Sequence, residues 1–580
     1  MTSSIYALCL DCGHQAHYNP SLLNCPACQS QWLEARYDYA ELGPRLPELL
    51  AARPFNLWRY RELLPIYEYN PNLSMGEGGT PLIRAVNLGM MLGCPNIFIK
   101  DERQGPTSSF KDRQAAVNIA ALKEAGITEA ALASTGNVAI AYSAYAARAG
   151  IKLWAFLTSL VPAEKMREVA FYGTQVVKVT ASYDQAKKVA AEYARQRGLY
   201  LERGARSIPS VEAMKTIAYE IAEQLAALEQ SGQIPPGIPG AATSTVSAAS
   251  APLPWRAPDW YFQAVSGGLG PMGVLKGFEE LQWMGLTRNL PALAGIQTDG
   301  CAPMAHAWRQ QADEVEPVAS PRTHIATLST GDPGRTYTLL RQRMLKATNQ
   351  RSIFESVSDE EAFRTMHILA KLEGLSMEPA AAVAFAGLIK LARLGLVRSN
   401  DVVVVNCSGH TMPIEKTILG EGWARNVVIP SSTAASPALA ASEQEGLLAA
   451  LSRVTADRFP RVLIADDTEE ARRLIRRILQ SQGNYTIFEA ANGRQAIEIA
   501  RKEALDLVLL DLMMPELDGF AVLDALKADP NTAPLPVIVV TAKELTPDEK
   551  KRLEGQIFSL MQKGEFLSDE LLDEVRSLVR

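Results

Sequence analysis

A lysine that could act as a nucleophile stands at a strand-to-helix turn in the first quarter of the chain. The turn, residues 105–113, follows the apolar run 96–100 and precedes residues 115–123, which read as a buried strand and a helix. Lys111 therefore lies where helix N–H groups point outward, and these groups and the helix dipole disfavour a second positive charge. A neutral amine can attack an aldehyde to form a Schiff base, whereas the alternative is a solvated lysine in a first helical turn.

Four cysteines in the first 28 residues have the spacing of a metal site. Two CxxC pairs, Cys9 with Cys12 and Cys25 with Cys28, stand 12 residues apart. Two such pairs turn four thiolates toward one point, which predicts a closed, structural zinc site. The start of the chain has no signal-peptide pattern, so a cytoplasmic location and reduced cysteines are expected. A redox pair or four loop thiols are the alternatives.

A third group of reactive side chains lies near the C-terminus, at the ends of three predicted strands and after a fourth apolar stretch. Three carboxylates at adjacent strand ends can hold Mg²⁺, and one of them can attack a phosphoryl group to give an aspartyl phosphate. Surface acids at strand ends are the alternative. The strands and the residues that follow them are 461–465 with Asp466 and Asp467, 507–510 with Asp511, 537–540 with Thr541, and the stretch before Lys563.

The elements that must position Lys111 follow a repeated strand-then-helix pattern through residues 41–430. This alternation predicts an open α/β fold with parallel sheets, in which ligands bind beyond the carboxyl ends of strands. The clearest pairs of strand and helix are 130–133 with 138–149, 176–179 with 183–196, and 260–265 with 272–281.

Two turns at these strand ends have a composition suited to anions. Ser134, Thr135 and Asn137 offer hydroxyls and free N–H groups at a helix start, although helix capping alone would explain them. The second turn can bring backbone N–H groups close to a phosphate, although an ordinary strand-to-helix turn is the alternative. It consists of Ser266, Gly267, Gly268, Leu269 and Gly270.

The composition is that of a soluble globular protein, with 47% apolar residues, 21% charged residues and a net charge of −6. No run of residues has transmembrane length, and no basic helix-turn-helix segment follows the last strand, so neither membrane nor nucleic acid is an expected partner. Residues 230–258, rich in Ala, Ser, Pro and Gly, are predicted to be a disordered insertion. Residues 429–460 read as a linker with a short amphipathic helix at 442–453.

The segment 105–113, Gly-Pro-Thr-Ser-Ser-Phe-Lys-Asp-Arg, resembles the Schiff-base lysine motif of threonine synthase, a fold-type II pyridoxal-phosphate (PLP) enzyme. The usual motif is Asn-Pro-Thr-Gly-Ser-Phe-Lys-Asp-Arg, so Gly105 and Ser108 are departures. Residues 74–82 and 378–380 also resemble family segments, and a similar zinc ribbon followed by Tyr-Asp-Tyr precedes some relatives. The resemblance implies a two-subdomain enzyme of the tryptophan synthase β type, with PLP on Lys111, and a homodimer.

The resemblance also implies roles for the remaining candidate residues. Ser134 and Thr135 would hold the substrate carboxylate, Asn137 the phenolic oxygen of PLP, and residues 266–270 its phosphate, while the Ser408 hydroxyl would face the pyridine nitrogen. The reaction implied is O-phosphohomoserine plus water to threonine plus phosphate.

One segment, which helps to hold the substrate phosphate in the threonine synthase family, leaves the substrate of this chain open. Its usual form is Asn-Pro-x-Arg-x-Glu-Gly-Gln-Lys-Thr, and the matching residues 208–216 lack the Arg. The alternatives are β-replacement on phosphoserine, as in a cysteate synthase, dehydration of serine or threonine, and a catalytically idle scaffold in a signalling protein.

Residues 461–580 resemble a response-regulator receiver domain with a flavodoxin-like (βα)5 fold. Asp511 matches the phosphoacceptor, and Thr541 and Lys563 match the switch residues. Asp466, Asp467 and the carbonyl of Met513 match the Mg²⁺ ligands. Leu560 replaces the usual aromatic switch residue, and Gly564 replaces a proline. A sensor histidine kinase or phosphotransfer protein is the implied partner.

These observations predict four segments. They are a zinc ribbon at 1–40, a PLP-dependent domain at 41–428, a linker at 429–460 and a receiver at 461–580.

Overall fold

The computed structural model places the described part of the chain in two compact units. The first takes in the described residues within 1–86, 94–366 and 376–413, and the second those within 87–93, 367–375 and 414–580. The described residues are 5–158, 161–180, 182–235, 255–410, 459–482, 485–543, 545–563, 571, 574, 575, 577 and 578. Most of the predicted insertion, the predicted linker up to residue 458 with its helix at 442–453, and Gly564 lie outside them.

The described strands form four sheets, and helices connect most of them. The strands are β1 Tyr6–Cys9, β2 Gln15–His17, β3 Leu33–Arg36, β4 Leu82–Arg84, β5 Ile97–Asp101, β6 Glu129–Ser134, β7 Lys152–Thr158, β8 Gln175–Val179, β9 Tyr200–Leu201, β10 Trp260–Ala264, β11 Ala292–Thr298, β12 Ile353–Val357, β13 Val403–Cys407, β14 Arg461–Ala465, β15 Thr486–Ala490, β16 Leu507–Leu510, β17 Val537–Thr541 and β18 Ser559–Gln562. The helices are α1 Tyr39–Ala51, α2 Val86–Leu92, α3 Lys111–Glu124, α4 Asn137–Ala149, α5 Ala163–Phe171, α6 Tyr183–Arg197, α7 Ile208–Gln230, α8 Leu269–Trp283, α9 Pro303–Arg309, α10 Thr336–Met344, α11 Asp359–Glu373, α12 Pro379–Arg393, α13 Glu469–Gln482, α14 Gly493–Lys502, α15 Gly519–Ala528 and α16 Pro547–Leu553.

Three sheets belong to the first unit, and two of them have the predicted α/β character. The larger has six strands in the order β12-β11-β10-β13-β5-β4, and only β4 runs antiparallel to its neighbour. The smaller is fully parallel, in the order β8-β7-β6-β9. Strands such as β10 and β13 are almost wholly buried, which explains their continuous apolar sequences. The prediction of parallel sheets with helical connections is confirmed.

The third sheet is the small antiparallel ribbon at the N-terminus, in the order β2-β1-β3. Its apolar side chains, including those of Ile5, Ala7 and Ala35, belong to the same hydrophobic core as α7 and α8. The ribbon is therefore packed into the first unit and does not form a core of its own.

A buried group of charged side chains, which we call the ribbon cluster, fixes this contact. It consists of Lys215 and Glu212 on α7 and Lys276 and Glu280 on α8, all fully buried. Lys215 Nζ lies 2.5 Å from Glu212 Oε2 and 2.9 Å from Glu280 Oε2. Buried charges are stable only when every charge has partners, and here part of the partnership comes from the ribbon side.

The ribbon supplies a carbonyl oxygen, and the segment after it supplies two hydroxyls. Lys276 Nζ donates to the carbonyl of Ala35 at 2.6 Å, and Tyr37 and Tyr39 donate to Glu212 and Glu280 at 3.1 and 2.9 Å. These contacts join residues more than 170 positions apart in sequence. The predicted Tyr37-Asp38-Tyr39 segment is therefore the connection between the ribbon and the helices.

The fourth sheet, in the second unit, is parallel and has the order β15-β14-β16-β17-β18. Counted within this unit, that order is 2-1-3-4-5, the flavodoxin-like order expected for the receiver. Its strands are apolar and buried, and β14, β16 and β17 end directly before or at the predicted acidic and hydroxyl residues. Within the described part of the chain, no helix is both long and apolar enough to cross a bilayer.

Candidate functional site

A cavity of about 800 Å³ in the first unit brings the predicted active-site segments together. It lies beyond the carboxyl ends of β6, β9, β10 and β13, the place where open α/β sheets bind ligands. The predicted residues that line it are Lys111, Thr135, Asn137, Ser266, Gly267, Gly268, Leu269, Gly270 and Ser408.

Backbone hydrogen bonds hold the lysine turn against the end of β13. Phe110 N–H donates to the carbonyl of Ser408 at 3.0 Å, and His410 N–H donates to that of Ser108 at 2.9 Å. Ser108 has a φ of +56°, the left-handed conformation that favours glycine, so the departure to serine carries a backbone cost of about 1 kcal/mol. Helix α3 begins at Lys111 without a side-chain cap. The lysine is therefore fixed at an uncapped helix start.

The surroundings of Lys111 favour the neutral amine. Burial lowers the pKa of Lys111 to about 8, although the carboxylates of Glu202 and Glu378 raise it. Its Nζ lies 4.3 Å from the centre of the Phe110 ring. The neutral fraction of this amine near physiological pH is therefore far larger than that of an ordinary lysine, and the neutral form is the nucleophile toward an aldehyde.

The acid next to Lys111 lies against the other departure from the usual motif. Asp112 accepts hydrogen bonds from the N–H and hydroxyl of Thr107, at 2.9 and 2.5 Å. A Cβ atom on Gly105 would lie 2.3 Å from Asp112 Oδ2, so a larger residue there would require the Asp112 carboxylate to move. Gly105 therefore packs closely against the Asp112 carboxylate in this chain.

The predicted ligand-binding residues in the turn after β6 do not all face the cavity. The Ser134 hydroxyl accepts from the N–H groups of Gly136 and Ala139 at 3.0 and 3.1 Å, so it caps α4, and Ser134 is not among the described residues that line the cavity. Thr135 and Asn137 do line it. The predicted substrate-binding role thus has geometric support for Thr135, whereas the Ser134 hydroxyl is already engaged.

Two side chains from distant parts of the sequence orient the amide of Asn137. Its Nδ2 donates to Glu378 Oε1 at 2.7 Å, and its Oδ1 accepts from Lys165 Nζ at 2.6 Å. Lys165 is 2% exposed and comes from α5. Glu378 belongs to the segment 378–380 that resembles the threonine synthase family, whereas no local sequence pattern identifies Lys165.

The loop after β10 has the geometry of an anion cradle. Gly268 has a φ of +88°, and a Cβ atom there would lie 2.7 Å from Thr336 Cγ2. Helix α8 begins at the next residue, so free helix N–H groups face the cavity end. The Ser266 hydroxyl lies 2.7 Å from that of Thr330. An amine with a lowered pKa and a phosphate cradle in one cavity fit PLP.

The four ribbon cysteines form a separate group. Their sulfur atoms all lie within 4.8 Å of one another, with 3.5 Å between those of Cys9 and Cys28 and 3.7 Å between those of Cys12 and Cys25. A tetrahedral zinc–thiolate site places sulfur atoms roughly 3.8 Å apart. The arrangement therefore fits Zn²⁺.

The second unit assembles the predicted acidic site. The carboxylate oxygens of Asp466, Asp467 and Asp511 lie within 4.8 Å of one another, a set that fits Mg²⁺. Lys563 Nζ lies 2.5 Å from both Asp466 Oδ2 and Asp511 Oδ2. Burial alone would lower the pKa of Lys563, but its contacts with Asp466 and Asp511 outweigh burial and raise that pKa.

The other predicted residues of this site lie beside it. Met513 N–H donates to Asp511 Oδ1 at 3.2 Å. Thr541 is fully buried, and its carbonyl accepts from Lys563 N–H at 2.8 Å. Leu560, at the position where an aromatic switch residue was expected, is 38% exposed.

Comparisons with known proteins match two parts of the chain. The family model described as pyridoxal-phosphate dependent enzyme matches residues 73–409, and that described as response regulator receiver domain matches residues 462–576. Threonine synthase of Methanocaldococcus jannaschii is 31% identical over 405 residues, which are 69% of this chain and 91% of that protein. Threonine synthase of Methanosarcina acetivorans is 30% identical over 413 residues, 71% of this chain and 93% of that protein.

A solved structure is also similar in part. The processed form of threonine deaminase isoform 2 from Solanum lycopersicum superposes with a TM-score of 0.44 and 20% identity over 58% of this chain and 81% of that one.

Proposed function

The chain belongs to the family of pyridoxal-phosphate dependent enzymes, and we propose that it is a lyase of the threonine synthase type, which converts O-phosphohomoserine and water into threonine and phosphate. The observation that carries this proposal is the meeting of Lys111, with a pKa lowered to about 8, and the 266–270 loop in one cavity. The threonine synthase relatives support the choice of reaction.

Lys111, with PLP bound, would carry the chemical steps of this reaction. PLP, when bound, supplies an electron sink that stabilises negative charge at the substrate's Cα. Lys111 would hold PLP through its side-chain amine, and this amine would move protons at the Cα and Cβ atoms of the substrate. Loss of phosphate from Cγ and addition of water at Cβ complete the reaction.

Other residues would bind and orient. The 266–270 loop would hold the phosphate of PLP, the Ser408 hydroxyl would face the ring nitrogen, and Asn137 would contact the phenolic oxygen. Thr135 and the N–H groups at the start of α4 would receive the substrate carboxylate. Lys165 and Glu378 would fix the orientation of the Asn137 amide through the bonds described above.

The absence of one arginine from a family motif favours considering a second substrate. Segment 208–216 lacks the arginine of the family motif, and this allows β-replacement on phosphoserine or dehydration of serine or threonine. A substrate screen separates these reactions. Phosphate release from O-phosphohomoserine with formation of threonine supports the proposal, whereas turnover of phosphoserine with sulfite, or of unphosphorylated serine or threonine, supports the alternatives.

The first test of an active enzyme is spectroscopic. The purified chain should show the visible absorption of lysine-bound PLP, and Lys111→Ala should lose both this band and threonine formation, the latter by about 10²–10⁴-fold. Lys123→Ala, an exposed position on the same helix, is the matched control. A colourless wild-type protein with full PLP supplied would support the idle-scaffold alternative.

We further propose that Cys9, Cys12, Cys25 and Cys28 hold a structural Zn²⁺. Metal analysis should give one zinc per chain, and a Cys9→Ser and Cys25→Ser double variant should lose it. A protein that is metal-free after purification in the presence of zinc would contradict this assignment.

We propose that Asp511 accepts a phosphoryl group, with Mg²⁺ held by Asp466, Asp467 and the Met513 carbonyl. A sensor histidine kinase or phosphotransfer protein would be the donor, and the modification would shift the activity of a cytoplasmic, homodimeric enzyme. Acetyl phosphate with Mg²⁺ should label the wild type and not Asp511→Asn. Unchanged kcat, KM and sedimentation after labelling would contradict the regulatory role and leave the phosphoacceptor role standing.

A further inference from the structure

Two arginines in the active-site cavity have no ion-pair partner among the described residues. Arg203 and Arg206 follow β9, in the turn that leads into α7, and both line the cavity that contains Lys111. Apart from Lys111, the other long cations of the wall have carboxylate partners: Lys187 Nζ lies 2.5 Å from Asp184, and Arg335 pairs with Asp11. Arginines without an ion-pair partner at a ligand cavity suit an anion.

The two arginines are held by neutral groups of the ribbon. Arg203 Nη2 donates to the carbonyl of Leu23 at 3.1 Å, and Arg206 Nη1 donates to Gln31 Oε1 at 2.7 Å. Neutral acceptors orient a guanidinium without cancelling its charge. Arg203 Nε is buried and has no hydrogen-bond partner among the described residues.

Nearby acids offset this charge only in part. The Glu202 carboxylate already accepts from Ser210, Gln114 and the Gly204 N–H, at 2.8–3.2 Å. Burial and the neighbouring Arg206 lower the pKa of Arg203, whereas Tyr200 and Glu202 raise it. An anion between the two guanidinium groups would relieve their mutual repulsion.

We propose that Arg203 and Arg206 form an anion-recognition site for the phosphate group on the side chain of the amino-acid substrate. The inference rests on the proposed function and adds to it the residues that select a phosphorylated substrate. It also assigns the ribbon a role at the active site, because Gln31 and the Leu23 carbonyl position the two side chains.

The segment expected to hold this phosphate has another role in the chain. Ser210 stands two residues before Glu212, at the position where the family motif has arginine. It is fully buried and forms hydrogen bonds with Asn118 and Glu202. Glu212 and Lys215 belong to the ribbon cluster. Segment 208–216 therefore contributes packing and buried ion pairs, while the unpaired cations of the cavity lie just before it.

The test uses the full-length, PLP-loaded protein with Arg203→Gln, Arg206→Gln and the double variant. Inorganic phosphate binding by calorimetry and the KM for O-phosphohomoserine should each weaken roughly 10–100-fold per arginine, because charge-assisted hydrogen bonds are lost. The kcat and the dissociation constant of PLP should stay within about twofold. Arg195→Gln, whose partner Glu192 lies on the exposed face of α6, is the control.

The possible outcomes separate this inference from the proposed function. Unchanged phosphate binding in the double variant, or no measurable binding by the wild type, would overturn the anion site even if threonine is made. A rise confined to the dissociation constant of PLP would also overturn it, since the arginines would then serve the cofactor's own phosphate. Arginine-dependent phosphate binding in a protein that makes no threonine would support the site and reject the proposed substrate.

Gln31→Ala provides a second variant that leaves both arginines in place. It should weaken phosphate binding by a smaller factor, roughly 3–10-fold, because Arg206 loses its orienting acceptor. Equal affinity in Gln31→Ala and wild type would overturn the ribbon's role in recognition.

Discussion

Two lysines at strand ends of parallel sheets, one in each unit, are placed in opposite electrostatic surroundings. Lys111 touches no carboxylate at ion-pair distance among the described residues, and burial lowers its pKa to about 8. Lys563 lies 2.5 Å from two carboxylates, and its pKa is raised. The same side chain is thus prepared as a nucleophile in one unit and as a permanent cation in the other.

The difference teaches that the distance to carboxylates, and not the position at a strand end, decides what a lysine can do. Glu202 and Glu378 act on Lys111 from beyond contact, so desolvation dominates. At Lys563, desolvation is also the largest single influence, but two direct contacts outweigh it. Each of the following experiments changes one side of this comparison.

The largest expected effect is a difference in chemical reactivity between the two amines. At pH 7 a lysine with a pKa of about 8 has roughly 300 times more neutral amine than an ordinary lysine. Reductive methylation of the PLP-free protein with formaldehyde, followed by peptide mass spectrometry, should therefore modify Lys111 far faster than Lys563. The methylation rate of Lys111 should rise with pH and level off above about pH 8. The same dependence of rate on pH at Lys111 and Lys563 would contradict the difference between their pKa values.

The second experiment concerns the acid next to Lys111. Burial, with Glu77 and Glu102, raises the pKa of Asp112 to about 7 despite hydrogen bonds from Thr107. Since this pKa lies above that of the unfolded chain, the carboxyl's contribution to stability is present below about pH 4 and is lost as pH rises through about 7.

Asp112→Asn should remove this dependence and stabilise the first unit at pH 8 by on the order of 2 kcal/mol, the linkage gain less the weakened bonds to Thr107. Denaturant unfolding at pH 5 and pH 8 measures the change. If the variant is less stable than the wild type at both pH values, the raised pKa is wrong.

Removal of the cation from the receiver site should have a smaller effect. Lys563→Met leaves Asp466 and Asp511 without their shared partner, and because Lys563 is partly exposed we expect a loss of about 1–2 kcal/mol. Hydrogen exchange of the amides in β14 and β16 would report it, and millimolar Mg²⁺ should restore protection. Lys543→Met, at another lysine of this unit, is the comparison variant; protection unchanged by Lys563→Met would mean that the ion pairs contribute nothing.

The smallest effect concerns how the helices beside the two sites begin. Helix α3 begins at Lys111 without a side-chain cap, whereas α16 begins with a capping box in which Thr546 and Glu549 bond each other's backbone N–H groups. Thr546→Ala should cost about 1 kcal/mol, and Thr546→Ser should cost little. Exchange rates within α16 measure both, and equal rates in all three proteins would show that the box is not stabilising.

Much of this arrangement follows from patterns local in sequence. The sequence predicts functional residues wherever a buried strand, a turn and a helix follow one another within about 20 residues. This pattern identifies Lys111, the 266–270 loop and the acids after β14 and β16. Parallel pairing then brings their strand ends together, and the structure confirms this for both units. Local patterns also predicted Ser134 as a ligand, but the N–H groups of α4 occupy its hydroxyl.

The residues that sequence reasoning missed act over long separations. Gln31 and Arg206 are 175 positions apart, and Lys165 reaches Asn137 from a different helix. No periodicity or motif links such positions, because their contact depends on how α5, α7 and the ribbon pack. Arginine and lysine are also ordinary surface residues, so their type alone gave no signal.

The ribbon cluster has a practical consequence for dissecting the protein. Deleting residues 1–38 would remove the Ala35 carbonyl from Lys276, the Tyr37 hydroxyl from Glu212 and Glu34 from Arg343, so each of these three charged groups would lose one of its partners. A shortened version for expression or crystallisation should therefore keep the N-terminus intact.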